Sequence, residues 1–228
     1  MSDPAGRERA HAELAHARPE PTELVIKKSV FLTRLARVHH EDEARALIAE
    51  VRHEHPPARH HCMAFVLGPL REVQRSSDDG EPAGTAGVPM LSALLGHTVS
   101  GLPVTHLVAV CSRWFGGIKL GAGGLTRAYS GSVTAALDAA RWRRRSRVTL
   151  HDLSLDHADI GRVETSLRAS GVTVLDQRYE AATAWLQVAV PPGDHERVAN
   201  TVAQLTSGGT LGVAVGERWI TEPIRLGG

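Results

Sequence analysis

Residues 148–228 constrain the fold most, because their apolar pattern changes period in a fixed order. RVTLHDLSLD alternates as a strand, IGRVETSLRASG repeats as a helix that ends at a glycine, and VTVLDQRY and TAWLQVAV indicate a hairpin. GDHERVANTVAQLTSGG predicts a second helix with Asp194 as its N-cap, and LGVAVGERWI predicts a last strand. The predicted order is therefore β-α-β-β-α-β, the arrangement of a ferredoxin-like domain.

The residues before this segment predict a separate domain. Residues 1–21 are rich in Ala, Arg, His, Glu and Pro and have little apolar surface to bury, so we expect a disordered tail. Strand and helix patterns alternate from residue 22 to the arginine-rich stretch RWRRRSR, which ends at residue 147. The sequence thus predicts an α+β protein with domains at residues 22–147 and 148–228.

Charge and composition limit the classes of protein to which this chain can belong. Residues 1–147 carry a net charge of +5 and residues 148–228 a net charge of −4, which suggests two domains with different partners. The chain has no apolar run of about 18 residues and no apolar signal segment at its start, so we expect a cytoplasmic protein without membrane contact. Two cysteines without CxxC or zinc spacing predict buried free thiols.

The acidic loop, which we define as SSDDGEPAGTAG at residues 76–87, combines three carboxylates with turn-forming residues. A structured turn is the simplest interpretation of this loop. Asp78, Asp79 and Glu81 could instead supply oxygen ligands to a cation such as Mg²⁺, although adjacent aspartates seldom face one ion. Capping of the following helix, or pairing with an arginine, explains the acids equally well, so the sequence predicts no definite metal ligand or cofactor.

The glycine-rich loop, which we define as residues 115–124, lies between a predicted buried strand and a predicted helix. It has five glycines in nine positions, at Gly116, Gly117, Gly121, Gly123 and Gly124. Such a loop brings backbone amides close to a ligand, and a helix N-terminus attracts anions. Arg113, Lys119 and Arg127 add positive charge around it. The pattern indicates a phosphate or nucleic-acid contact, or a tight turn with solvated bases; it is neither a Walker A loop nor GxGxxG.

Two weaker patterns remain. His60 and Cys62 share one face of a predicted strand, HHCMAFVL, where a packed histidine is a simpler interpretation than a catalytic one. Five arginines flank Trp142 in RWRRRSR, at Arg141, Arg143, Arg144, Arg145 and Arg147. They could contact phosphates, or they could form the solvated end of a helix.

Taken together, three of these stretches resemble a known family. Ala58, His60, Cys62 and Ala64, then SDDGEPAGTAG, then RWFGGIKLGAGGLTRAYS resemble the YigZ/IMPACT family in order and spacing, over about residues 20–140. The segment after residue 147 resembles the small second domain of bacterial members. Trp114 replaces the tyrosine that is usual in the family, so a packing role of that ring is retained and a hydroxyl role is lost.

The resemblance implies folds and a function. It implies a first domain with the βαβ-type fold shared by a small-subunit ribosomal protein domain, domain IV of elongation factor G and the GHMP kinases. It implies a second domain similar to domain V of elongation factor G. Eukaryotic members regulate translation through a partner and through a further N-terminal domain that has no counterpart in these residues.

Three hypotheses about function follow. The first, which we favour, is a non-catalytic, translation-linked protein that binds RNA or a ribosome-associated factor. The second is an enzyme acting on a phosphorylated or nucleotide substrate at a site built from residues 78–81 and 116–124, with Mg²⁺ as an optional cofactor. The third is a protein–protein module that uses its acidic second domain. The enzyme hypothesis requires that the acidic loop and the glycine-rich loop face one cleft.

Overall fold

The computed structural model describes residues 10–224 and divides the chain into two compact units. Among the described residues, the first unit comprises residues 10–145 and 222–224, and the second comprises residues 146–221. The predicted domain boundary at residue 147 therefore lies slightly too far along the chain. The predicted second domain runs to residue 228, whereas the described residues 222–224 belong to the first unit.

The first unit is built around a five-stranded antiparallel sheet. In chain order its elements are β1 (Ala10–Leu14), β2 (Thr22–Ile26), β3 (Ser29–Arg37), α1 (Glu41–Glu54), β4 (His60–Leu67), β5 (Val73–Ser77), α2 (Gly87–Gly96), β6 (Thr98–Val99), β7 (Leu102–Pro103), β8 (Leu107–Trp114) and α3 (Ala122–Ala139). The sheet has the order β2-β3-β8-β4-β5, and β6 pairs with β7 as a separate small hairpin.

Strand β4 shows how both faces of this sheet are covered. Cys62 and Ala64 belong to the apolar core that α2 and α3 complete, whereas Met63 and Phe65 pack in the core that α1 completes. The alternation predicted for this strand is confirmed, and the two buried faces explain why the strand reads as an almost continuous apolar run. Helix α1 begins at Glu41 in an acidic first turn, which suits the helix dipole, and ends before Pro56, since proline disfavours helical backbone in the residue before it.

The second unit has the predicted β-α-β-β-α-β order. Its elements are β9 (Trp142–Leu155), α4 (Ile160–Ala169), β10 (Thr173–Tyr179), β11 (Ala184–Val190), α5 (His195–Leu205) and β12 (Ala214–Pro223), of which β9 and β12 continue into the first unit. Strand β11 runs antiparallel to β9 and β10, and β12 pairs with β9. Apolar residues of α4 and α5 pack with those of β9 and β11 in one core, so this unit is a mixed α+β layer pair.

Residues 10–21 correct the expectation of a disordered tail. All five residues of β1 are buried, and β1 pairs with β9, whose first residues belong to the same unit. Local composition did not predict this strand, because the charge of buried Glu13 is balanced by a residue far along the chain. That residue is Arg143, whose guanidinium lies 3.0 Å from the Glu13 carboxylate. Residues 1–9 of the predicted tail lie outside the described residues.

The arginine run at residues 141–147 is a strand and not the end of a helix, which corrects the second expectation for this stretch. Helix α3 ends at Ala139, and β9 begins at Trp142. Arg143 and Arg145 lie 3.0 and 3.8 Å from the carboxylate of Glu13. Arg147 pairs with Glu217 at 2.5 Å. These three arginines neutralise acids of the protein itself, which weakens the case for nucleic-acid contact here; Arg141 is exposed and Arg144 is partly buried.

Candidate functional site

The motifs singled out in the sequence meet at one end of the first sheet. Strand β4 runs antiparallel to both β5 and β8, so its first residue lies beside the last residues of those strands. His60 is paired directly with Arg113 across this end. The acidic loop follows β5 and the glycine-rich loop follows β8, so strand direction alone brings the two loops together.

The carboxylate of Glu81 is held inside the protein by two donors. Its Oε1 accepts a hydrogen bond from Nη1 of Arg113 at 2.5 Å and another from the hydroxyl of Tyr129 at 2.8 Å. The guanidinium of Arg113 also lies over the rings of Phe31 and Phe115, 5.4 and 5.7 Å from their centroids. Burial raises the pKa of Tyr129, so its hydroxyl stays protonated and donates. The predicted pairing of this acid with an arginine is present.

Asp78 organises the acidic loop through backbone amides. Its Oδ2 accepts from the amide of Gly84 at 2.8 Å, and its Oδ1 accepts from the amides of Ala86 and Gly87 at 2.9 and 2.8 Å. Helix α2 begins at Gly87, so this carboxylate satisfies amides that the helix leaves without partners. Burial opposes ionisation of Asp78, but the three hydrogen bonds outweigh it and lower the pKa of the carboxyl.

Asp79 points in a different direction from Asp78. Its carboxylate pairs with Arg52 of α1 and accepts a hydrogen bond from the backbone amide of His61 at 2.7 Å. Its carbonyl oxygen accepts from Nδ1 of His60 at 2.8 Å. The two aspartates therefore do not share an ion site, and both carboxylates serve the loop and its neighbours.

The thiol of Cys62 belongs to the same internal network. Its sulfur lies 2.9 Å from the carbonyl oxygen of Asp78, to which it donates, and the residue has no exposed surface. Burial raises the pKa of the thiol well above its ordinary value. A nucleophilic role of Cys62 is therefore not supported, and the predicted buried free thiols are present at both Cys62 and Cys111.

The five glycines of the glycine-rich loop have three different structural roles. A side chain at Gly116 would overlap the backbone of Lys28 in the β2–β3 turn, because its Cβ would lie only 2.0 Å from the carbonyl carbon of that lysine. Gly117 and Gly121 have φ values of +84° and +73°, which glycine adopts most readily. Gly123 and Gly124 lie in the first turn of α3, which begins at Ala122, three residues earlier than the predicted loop bounds of 115–124 imply.

A cleft of about 380 Å³ lies between the two loops. The acidic loop contributes Glu81 and Pro82, the start of β4 contributes His60 and the preceding Arg59, and the other wall is Arg113, Phe115 and the segment 119–122. Arg59 and Lys119 are exposed, whereas Arg113 is buried at the floor with Glu81. The two loops face one cleft, and its exposed charges are basic.

Comparison with known proteins gives two matching domains and several relatives. The chain matches the Impact N-terminal domain over residues 27–137 and a domain of unknown function (DUF1949) over residues 153–208. It is 38% identical over 194 residues to the IMPACT family member YigZ of Escherichia coli (strain K12), covering 84% of this chain and 92% of that protein. It is 41% identical over 157 residues to the IMPACT family member YvyE of Bacillus subtilis (strain 168), covering 69% and 70% respectively. The chain belongs to the IMPACT family.

A solved structure is similar to almost the whole chain. The crystal structure of a hypothetical protein is 33% identical in sequence, covers 96% of this chain and 99% of its own, and superposes with a TM-score of 0.56. The two matching domains and the curated relatives confirm the resemblance to the IMPACT family that the sequence motifs indicated. Within the described part of this IMPACT protein, the helices are too short or too polar for a membrane span.

Five of the thirteen residues predicted for the binding cleft of this IMPACT protein line it: His60, Glu81, Arg113, Lys119 and Gly121. Cys62, Asp78, Asp79 and Gly116 lie behind the cleft wall and hold it in place. Gly117, Gly123, Gly124 and Arg127 are outside the lining, and Arg127 is exposed on α3. Trp114, which replaces the family's usual tyrosine, packs edge-on against His55 with 5.4 Å between ring centroids, so a packing role remains.

Sequence reasoning missed three residues of this region. Arg59 and Phe115 line the cleft, and Tyr129 donates to Glu81 from α3. Arg59 precedes the predicted strand directly, so the antiparallel pairing with β8 was the signal that could have placed it. Tyr129 falls within the quoted motif LTRAYS, and its helical spacing of four residues from Leu125 was enough to predict an inward-facing ring.

Proposed function

We propose that this protein is a cytoplasmic, non-catalytic RNA-binding protein linked to translation, and that RNA contacts the cleft between the acidic loop and the glycine-rich loop. One observation carries the proposal: the acids at the cleft are engaged internally, whereas its exposed charges belong to Arg59 and Lys119. Such a surface attracts a polyanion and offers it no bare carboxylate that would repel it.

The cleft suits a sugar–phosphate backbone. Helix α3 begins at Ala122, its N-cap Gly121 has no side chain to cap the first amides, and both residues line the cleft, so an anion bound there would meet a helix N-terminus. Phe115, with 46% of its surface exposed, offers a ring on which a base can stack. Lys119 and Arg59 supply phosphate contacts on opposite walls of the cleft.

The link to translation rests on likeness. The relatives are named only as IMPACT family members, and the regulation of translation belongs to eukaryotic members of the family to which the sequence motifs point. The family resemblance implies a first domain like a ribosomal protein domain and domain IV of elongation factor G, and a second domain like domain V. These implied folds favour RNA or the ribosome as the partner. A ribosome-associated protein partner would use the same basic surface.

The enzyme hypothesis finds less support in the geometry. It needs Asp78, Asp79 and Glu81 as a base or as ligands of Mg²⁺, but each carboxylate already has strong donors from the protein. A histidine, His60, does line the cleft, and its Nδ1 is engaged by the carbonyl of Asp79. Turnover of a nucleotide would therefore overturn the non-catalytic part of the proposal.

Binding of a fluorescein-labelled single-stranded RNA, followed by anisotropy over a series of salt concentrations, tests this function. The double variant Arg59→Ala, Lys119→Ala should bind more weakly. The negative slope of log K against log salt should become shallower by about 1.4, which is about 0.7 per lost phosphate contact. Arg168→Ala, an exposed arginine of α4, is the matched control and should leave the slope unchanged. Unchanged binding by the double variant, or wild-type binding that is insensitive to salt, would contradict the proposal.

A further inference from the structure

A cluster of histidines and a glutamate lies in the first unit, around strand β1. His11 and Glu13 are alternate residues of this strand, so their side chains share one face. His106 follows the segment that runs beside β1, where Ala12 is bridged to Val104 and its carbonyl accepts from the amide of Thr105 at 3.2 Å. Backbone pairing therefore fixes the three side chains against one another.

The three side chains converge at metal-ligand distances. Nε2 of His11 lies 3.2 Å from Oε1 of Glu13, and the rings of His11 and His106 are 5.3 Å apart at their centroids. One ligand atom of each residue can be chosen so that all three lie within 4.8 Å of one another. A metal ion about 2.1 Å from each ligand needs such atoms about 3.5 Å apart, so small side-chain rotations are sufficient.

Nδ1 of His106 is buried and makes no hydrogen bond with any residue between 10 and 224. An unsatisfied buried imidazole nitrogen is costly unless it gains a partner. His106 also has a left-handed backbone conformation, with φ +55°, which costs free energy in a residue other than glycine. A metal ion would give such a ring a strong partner.

We propose that His11, Glu13 and His106 form a site for a divalent transition-metal ion, with Zn²⁺ as the preferred class. Two imidazole nitrogens and one carboxylate oxygen are a ligand set that zinc accepts, and a water molecule would complete four-coordination. The site lies apart from the candidate RNA cleft and does not depend on the proposed function. Its consequence is structural, because the ion would tie β1 to the segment before β8.

Neighbouring groups affect the affinity of this site for a metal ion. Arg143 donates to Oε2 of Glu13 at 3.0 Å, which leaves Oε1 facing the histidines and orients the carboxylate as an outer partner does in known sites.

The surrounding arginines oppose a divalent ion. Nε of Arg145 lies 3.8 Å from Oε1 of Glu13, and Nη1 of Arg37 donates to the carbonyl of Leu14 at 2.6 Å, on the same strand. Their positive charge should make the affinity weaker than that of a His₂Glu site in neutral surroundings. His39, whose ring lies 4.7 Å from that of His106, adjoins the site without being one of its three ligands.

Titration of the untagged full chain with Co²⁺ and with Zn²⁺ tests the site. We expect one Co²⁺ per chain, with visible absorption bands of four-coordinate cobalt, and displacement of the cobalt by Zn²⁺. His106→Ala should weaken binding by more than about 100-fold, because loss of even an outer partner costs about 10- to 100-fold. His53→Ala, an exposed histidine of α1, is the matched control and should bind as the wild type does.

A second measurement does not depend on the variant folding. Hydrogen exchange of the wild-type chain should show amides of residues 10–14 more protected in the presence of Zn²⁺ than in the presence of Mg²⁺. No saturable cobalt binding by the wild type would overturn the proposal. Equal binding by His106→Ala and His53→Ala, or zinc protection confined to other segments, would do so as well.

Discussion

The acidic loop and the glycine-rich loop lie side by side, but they use their residues in opposite ways. In the acidic loop every carboxylate has donors from the protein, and the loop is fixed to α1, α2 and β4. In the glycine-rich loop Gly116 makes the fixed contact, with the β2–β3 turn, while Phe115, Ile118 and Lys119 face solvent. Charge in a motif thus indicates structure where it is paired internally, and binding where it is exposed.

This comparison predicts that acidic-loop substitutions mainly change stability. Glu81→Gln should have the largest effect, because it leaves buried Arg113 without its counter-charge. Breaking a buried pair in this way costs about 3 to 5 kcal/mol of unfolding free energy. Urea denaturation followed by circular dichroism measures it. Glu164→Gln removes an exposed pair on α4 and should cost less than about 0.5 kcal/mol; equal losses in the two variants would show that the Glu81 pair is not buried in solution.

Asp78→Ala should have the next largest effect, about 2 to 3 kcal/mol, since three amide donors lose a charged acceptor. The folded-state pKa of this carboxyl lies below its ordinary 3.8, so its contribution is present above pH 3.8 and is lost as the pH falls through the folded pKa. The stability difference between wild type and variant should therefore shrink in acid. Denaturation at neutral and acidic pH checks this, with exposed Asp42→Ala as control; a constant difference would contradict it.

Gly116→Ala should affect the glycine-rich loop through both its stability and its binding. Its new methyl group would overlap the backbone of Lys28, so we expect a loss of about 1 to 3 kcal/mol and weaker RNA binding as the loop shifts. Gly123→Ala is matched to it, because its methyl group meets open space within α3. That variant should gain up to about 1 kcal/mol. Thermal denaturation with RNA anisotropy measures both, and similar behaviour of the two variants would mean that the Gly116 contact is absent.

The smallest effect on stability is expected from the cleft-lining bases. Lys119→Ala should change the free energy of unfolding by less than about 0.5 kcal/mol, because the side chain is exposed. RNA affinity should nevertheless fall, in contrast to the acidic-loop variants. Arg127→Ala, on the exposed face of α3 outside the cleft lining, is the control for charge alone. Equal losses of affinity in the two variants would indicate diffuse attraction and not a defined site.

Regular patterns made most of the fold predictable. The alternation in β4, the acidic start of α1 and the order of elements in the second unit were all readable, because each depends on nearby residues. Strand β1 was not, since His11 and Glu13 look like a solvated tail until partners more than 90 residues away are known. The prediction of a helix end at residues 141–147 was wrong for the same reason, because Arg143 and Arg147 pair with acids that are distant in the sequence.

The site was predictable as a region and less so in its details. The motifs named the two loops, but composition does not reveal that Asp78 turns toward α2 while Asp79 turns toward α1. That choice depends on loop dihedrals, including φ +44° at Asp79, which no periodicity encodes. Arg59 lacked a motif and was found only because strand pairing places it beside Arg113.

Backbone amide NMR of the wild-type chain during titration with single-stranded RNA tests the division between the two loops most directly. We expect saturable shifts centred on residues 117–122 and Arg59, with the amides of Asp78 and Asp79 nearly unmoved. Shifts centred on Asp78 and Asp79, or confined to residues 146–221, would contradict it.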